Sequence, residues 1–345
     1  MVRSWALAVA GMGALAIAAP QPARAQDVEA FYKGKTVNLY IGSNVGGGYD
    51  AYGRLVARYL GKYIPGKPVV VPSNMVGAGG NIVSNYVYAA AAKDGTAIAA
   101  TSAGSLLDPL LGDKSALKHD PLKFQYLGSA NNEVFTCIVR KDAPVQSFAD
   151  VLKTEVVMGV SGGTTHDMPR ALMNVLGAKF KMIAGYPGTR EVTLAMDKGE
   201  VQGLCGMGYT SILSQRPDWF REGSPVRVLA QETIKGDPDL DKAGVPLTMN
   251  FARTEEQKTI LSIVYAQGVF TRPFVMAPEV PRERFLAMRK AFLQALADPD
   301  LIADATRQGL TVTALPGDEL EGMIRKIYAT PPDVVEQVRK AIAAQ

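Results

Sequence analysis

The chain has 345 residues and a formal net charge of +4, and its 37 basic residues are spread along it rather than clustered, which argues against a nucleic-acid partner. Apolar residues make up 47% and charged residues 20%, the composition of an ordinary globular protein. The two histidines and two cysteines leave little material for a metal site or a general base.

Arg3, an apolar run from Trp5 to Ala19, and the small-x-small sequence Ala23-Arg24-Ala25 read as a secretory signal over residues 1–25, cleaved near Ala25. A membrane anchor is the competing reading, but a spanning helix needs about 20 apolar residues. No cysteine follows the cleavage motif, so a lipid anchor is not expected, and without a twin-Arg pair export should be in the unfolded state. The expected location is therefore periplasmic. Roughly 320 residues remain, more than a single core usually supports, so two domains are expected. In an oxidising compartment Cys137 and Cys205 could pair; two buried free cysteines are the simpler expectation.

In chain order, Thr36–Gly42 reads as a strand broken by Gly46-Gly47-Gly48. A helix follows, with Tyr52, Leu55, Val56, Tyr59, Leu60 and Tyr63 on one face and Arg54, Arg58 and Lys62 on the other. Val69–Val71 is the second strand, Ile82, Val83, Tyr86 and Val87 mark a second helix, and Thr96–Thr101 is the third strand. This βαβαβ order implies a parallel sheet. After Tyr126 the pattern restarts, with β-type runs at 134–140, 156–160, 180–184, 201–204 and 226–230. A helix through Met168, Leu172, Val175 and Leu176 belongs to this second set. The end of the chain reads as four helices, 282–297, 299–308, 318–328 and 332–343. No flexible linker separates the halves. The expected organisation is a first domain from 26–130, a second from 131–250, and a return to the first over 251–345, with the two α/β domains joined by crossing strands around a cleft.

Three motifs compete for function. Gly61-Lys62-Tyr63-Ile64-Pro65-Gly66-Lys67 fits a P-loop, but Pro68 follows where a Mg²⁺-binding hydroxyl is needed, and the motif follows a helix. Gly46-Gly47-Gly48-Tyr49-Asp50-Ala51 fits a dinucleotide fingerprint, but the second strand runs into Pro72-Ser73-Asn74 without a ribose-binding acid. Gly159-Val160-Ser161-Gly162-Gly163 fits a nucleophile elbow, so an exported serine hydrolase using Ser161 is the alternative function. Its order of Ser, acid and then His is missing, because His119 precedes the serine and His166 lies five residues after it.

What survives is a shared geometry. Three strand ends run into Gly-rich turns that open helices: Ser43 to Asp50, Gly77 to Gly80, and Ser161 to His166. Such helix starts offer unpaired N–H groups and a positive dipole end suited to a carboxylate, and glycine lets backbone approach a ligand. Tight βα turns are the competing use of these glycines, N-capping is the ordinary use of Asp50, and a helix-start hydrogen bond that of His166.

These loops resemble the solute receptors of tripartite tricarboxylate transporters, the Bug-type periplasmic binding proteins. The resemblance rests on Val45-Gly46-Gly47-Gly48-Tyr49-Asp50 (family P-G-G-x-x-D), Asn74-Met75-Val76-Gly77-Ala78-Gly79-Gly80 (N-x-P-G-A-G-G), Lys93-Asp94-Gly95, the turn Val160 to His166, and Gly185-Tyr186-Pro187-Gly188. It runs from about Phe31 to the C-terminus. Val45 and Val76 stand where the family has proline, which permits looser turns, and Tyr49 stands where it has Ser or Thr, which reshapes the cleft rim.

The resemblance implies a type II periplasmic-binding-protein (Venus-flytrap) fold of two α/β domains closing on a small carboxylate. It implies no catalysis and no cofactor. The partner would be a membrane permease of one large and one small subunit; some relatives serve an envelope sensor instead, and a ligand-free partner of such a sensor is a further alternative. A monomer is expected. By residue, the resemblance carries ligand contacts to Gly46, Gly47, Asp50, Ala78, Gly79, Ser161, Gly163, Thr164, Thr165 and His166. Ser43, Asn44, Ser102 and Thr189 join them by their positions at strand ends.

Overall fold

Three apolar runs near the N-terminus become adjacent parallel strands. A computed structural model describes residues 23–112 and 114–343. The leader expected over 1–25 lies outside the described residues except for 23–25, which open a helix, Ala23–Tyr32. The strands are β1 (Thr36–Ile41), β2 (Val69–Asn74), β3 (Ala97–Ala100), β4 (Gln125–Ser129), β5 (Phe135–Arg140), β6 (Val156–Gly159), β7 (Phe180–Ile183), β8 (Gly203–Gly208), β9 (Val226–Glu232), β10 (Pro273–Met276) and β11 (Leu315–Pro316).

They form two sheets. The first has the order β11-β4-β10-β3-β1-β2 and the second β7-β6-β8-β5-β9. β1 pairs in parallel with β2 and β3, as the βαβαβ pattern predicts. The first sheet is nevertheless mixed, because β10 runs antiparallel to both β3 and β4. Burial explains the strand positions. In β1 the inward residues Val37, Leu39 and Ile41 are buried, and all of β3 is buried, as a central strand requires. β2 lies at the edge, which accommodates Pro72 without breaking a ladder.

The second sheet is built from residues 135–232, and the first takes strands from both sides of that stretch. The chain thus crosses between sheets twice, through 130–134 and through 233–272, as the expected crossing connections require. The core around the first sheet includes the helices Arg282–Leu296, Gly317–Tyr328 and Pro332–Ile342 through residues such as Phe292, Leu320 and Val338. It also takes in Met168 and Ala171 from the second-lobe helix Thr164–Ala171, so the C-terminal helix spans both lobes. Two smaller clusters cover the faces of the second sheet. No helix among the described residues is long and apolar enough to cross a membrane.

The simpler reading of the cysteines is corrected. Cys137 on β5 and Cys205 on β8 are joined in a disulfide. The register between these neighbouring antiparallel strands shifts between Thr136 and Ile138, and the shift sets Cys137 opposite Cys205.

Candidate functional site

A cavity of about 210 Å³ lies between the two lobes. Its first-lobe wall consists of loops after β1 (Ser43, Asn44, Gly47, Gly48, Tyr49), after β2 (Val76 to Gly79) and after β3 (Ser102, Gly104). Its second-lobe wall is Ser161 to Thr165 after β6 and Pro187 to Glu191 after β7. Every one of these loops leaves the carboxyl end of a strand in a parallel-paired part of its sheet, which is where open α/β sheets place ligands.

The first loop is held from behind. The Gly46 N–H donates to Asp50 Oδ2 (2.9 Å), while Asp50 Oδ1 accepts from Asn74 Nδ2 (2.7 Å) and Arg54 Nε (2.9 Å). Asn74 Nδ2 also donates to the Ser43 carbonyl (2.8 Å), tying the β1 loop to the end of β2. The helix Gly48–Leu60 starts at Gly47, which supplies no side-chain cap, so its first amides keep their free donors. Gly48 has to be a glycine, because a Cβ there would collide with Ser211 Oγ and lie 3.1 Å from Arg272 Nη2.

The second loop has positive φ at Gly77, Ala78, Gly79 and Gly80 in succession. It presents backbone rather than side chain to the cavity, and a Cβ on Gly79 would lie 3.8 Å from Gly163 N of the other lobe. Ser102 locks it in place, since its Oγ donates to the Gly79 carbonyl and accepts from Ser105 N–H (2.9 Å) as the N-cap of the next helix.

On the second lobe, Thr165 Oγ1 accepts from Ser161 N–H (2.9 Å), donates to the Gly162 carbonyl (2.9 Å) and lies 3.2 Å from Ser161 Oγ. Thr164 Oγ1 donates to the Gly206 carbonyl (2.8 Å), and Gly206 N–H donates to the fully buried Glu232 (2.6 Å). These hydroxyls therefore shape the loop.

Of the residues singled out in the sequence, Ser43, Asn44, Gly47, Ala78, Gly79, Ser102, Ser161, Gly163, Thr164, Thr165 and Thr189 come together in the wall of one cavity. Gly46, Asp50 and His166 do not line it. Asp50 spends its carboxylate on Gly46, Asn74 and Arg54. Gly46 lies against Arg190, whose Nη1 would stand 3.2 Å from a Cβ there. His166 Nδ1 faces Asp167 Oδ1 at 3.1 Å on the first turn of its helix. Sequence reasoning missed Arg190 and Glu191 in the wall. Their one signal was two charges in the first turn of the helix Thr189–Lys198, which Pro187-Gly188 opens.

Beneath Gly48 and Tyr49 lies a polar knot that joins the lobes. Arg272, just before β10, has its guanidinium 4.3 Å from the Tyr49 ring centre and 5.1 Å from that of Tyr52. It donates to Ser211 Oγ (2.8 Å) and faces Glu133 Oε2 at 3.5 Å. Glu133, on the first crossing segment, accepts from Thr210 N–H (3.0 Å) and Thr210 Oγ1 (2.6 Å). Burial pushes the Glu133 carboxyl above its ordinary range, against the pull of Arg272, and burial also pushes the Tyr49 phenol up. The knot therefore connects the first-lobe helix carrying Tyr52, both crossing segments and the second-lobe residues Thr210 and Ser211.

Among the described residues, the one group of three side chains able to hold a metal is Cys137, Cys205 and Glu232, and its two sulfurs are bonded to each other.

No protein-family model matches the chain, and no curated protein matches it. Solved structures do. The periplasmic binding protein BugD superposes with a TM-score of 0.72 at 20% identity, covering 90% of this chain and 98% of that one. MatC from Rhodopseudomonas palustris with bound malate gives 0.66 at 19% identity, covering 87% and 99%. A TctC solute binding protein from Polaromonas gives 0.61 at 18% identity, covering 89% and 99%. These likenesses show the fold, a two-lobed α/β binding-protein architecture of the type II Venus-flytrap form.

Proposed function

We propose that this is an extracytoplasmic solute-binding protein that captures a small carboxylate and delivers it to a tripartite tricarboxylate-type membrane permease of one large and one small subunit. The single observation that carries this reading is the cavity between the lobes, walled by glycine-rich loop backbone from the first and by hydroxyl-bearing loops from the second. Backbone N–H groups at the start of an uncapped helix and in a left-handed glycine run form a ready anion site. At about 210 Å³ the cavity suits a metabolite rather than a drug-sized molecule. Solved proteins of the same fold bear the names TctC solute binding protein and MatC with bound malate, which supports a carboxylate.

The lobes in this reading are 26–130 with 251–345, and 131–250, the protein acts as a periplasmic monomer after removal of residues 1–25, and it performs no chemistry. The hydrolase alternative is disfavoured by position, since the Ser161 hydroxyl is engaged by Thr165 and the imidazole of His166 faces Asp167.

The test is a thermal-shift screen of protein refolded from denaturant, to strip carried-over ligand, against mono-, di- and tricarboxylic and aromatic acids. A ligand at 100 times its Kd adds about 2.7 kcal/mol, a readily measured rise in Tm. A flat response across the panel refutes the carboxylate receptor. Ester turnover lost in Ser161→Ala would establish the hydrolase instead.

A further inference from the structure

The polar groups around the cavity divide into two sets. The hydroxyls of Ser102, Thr164 and Thr165 are bonded within the protein. Where the β1 loop meets the Pro187–Glu191 turn, the side chains of Asn44, Thr189 and Arg190 make no hydrogen bond or ion pair among the described residues. Glu191 joins them with its Oε2 buried and without a partner. The ordinary use of an acid three residues past a helix N-cap is to reach back to the cap amide, and here Glu191 forms no such bond with Gly188. A Cβ on Gly188 would lie 3.0 Å from Glu191 Oε2 and 3.6 Å from Asn44 Nδ2, so these two groups share one corner.

An unpartnered buried carboxylate oxygen costs stability unless something donates to it. Arg190 and Glu191 are the two charged side chains in the wall, one of each sign. A second bare carboxylate on a ligand would gain Arg190 but meet Glu191 as a like charge. A group carrying N–H donors beside an acceptor satisfies both.

Taking the receptor reading as given, we infer that Arg190 and Glu191 select a carboxylate whose second polar group both accepts and donates hydrogen bonds through N–H, either an α-amino acid head or a carboxamide. Glu191 takes the N–H, Arg190 and Asn44 serve the oxygen, and the first-lobe amides hold the other carboxylate.

The experiment is calorimetric titration of refolded protein with pairs that differ in one group: succinate and aspartate, glutarate and glutamate, succinate and succinamate. The expected result is at least tenfold tighter binding of the N–H-bearing member in one pair, and loss of that preference in Glu191→Ala. Glu191→Gln separates the two sources, since it removes the preference for an ammonium group and keeps that for a carboxamide. Arg190→Ala, an exposed position, weakens both members of the pair. Unliganded Tm values establish that each variant folds. Equal or tighter binding of the bare diacid in every pair overturns the inference while leaving the receptor reading intact. A preference that survives Glu191→Ala also overturns it. If no member of any pair binds, the inference fails, while the receptor reading is decided by the wider acid panel.

Discussion

The Arg272 guanidinium faces the Glu133 carboxylate at 3.5 Å with side-chain exposures of 4% and 0%, so the two crossing segments of the chain meet in an ion pair sealed from water. Gly48 and Tyr49 of the cavity wall rest directly on this arginine. Movement of one lobe against the other therefore cannot leave the cavity floor undisturbed.

Arg272→Met strips Glu133 of its counter-charge and should destabilise the protein by about 3–5 kcal/mol near neutral pH. Burial already raises the Glu133 carboxyl above its unfolded value, so its ionisation opposes folding. The deficit relative to wild type is smallest below the unfolded carboxylate pKa and grows as pH rises. Urea denaturation of both proteins at acid and at mildly alkaline pH measures it. Equal losses at both would show that Glu133 is not left as an unpaired charge.

Glu232 predicts a second pH effect. Burial pushes its carboxyl up to about 8 from an ordinary value of 4.5, although the Gly206 N–H donated to it works the other way. A raised acid contributes stability that is full below about 4.5 and is lost as pH rises through about 8, with a slope approaching about 1.4 kcal/mol per pH unit within that window. Glu232→Gln keeps an acceptor for Gly206 and should flatten this part of the profile. An unchanged slope would assign the pH dependence to other groups.

Gly79 has φ +62 and faces Gly163 across the cleft. Gly79→Val should cost about 1–2 kcal/mol of local backbone strain, which the fold survives, and weaken ligand binding at least tenfold by keeping the ligand from the backbone. Gly79→Ala should do less. Unchanged affinity in the valine variant would remove this loop from the site.

The Cys137–Cys205 bond closes a sequence separation of 68 residues. On the chain-entropy account it stabilises the protein by about 4 kcal/mol. Reductant should lower the urea midpoint of the wild type accordingly, whereas the Cys137→Ala/Cys205→Ala protein should start lower and not respond. Equal midpoints would mean that the bond adds little to the packing of β5 against β8.

Local pattern made the helices and most parallel strands legible. Leu39 and Ile41 alternate with polar neighbours, and Ala97 to Ala100 is apolar throughout, so β1 and β3 stood out. β10 did not, because Pro-Phe-Val-Met is too short to show a period, and its place between β3 and β4 comes from long-range pairing. The glycine loops announced the cavity because tight turns need particular residues. Arg190 and Glu191 carried no such mark, since charges on a helix start are ordinary surface and only their neighbours across the cleft give them meaning. Asp50 was legible as a capping residue; its work on Gly46 and Asn74 required the spatial meeting of two loops.

In the first sheet β4 pairs with β10 and β11, and both are encoded long after it. As the polypeptide is made, Gln125–Ser129 waits without a partner until Pro273–Met276 has appeared, while the whole second sheet is already present. The half of the molecule begun first is thus completed last. A chain cut short before residue 273 would expose the edge of β3, four apolar residues with unpaired backbone, and would invite aggregation.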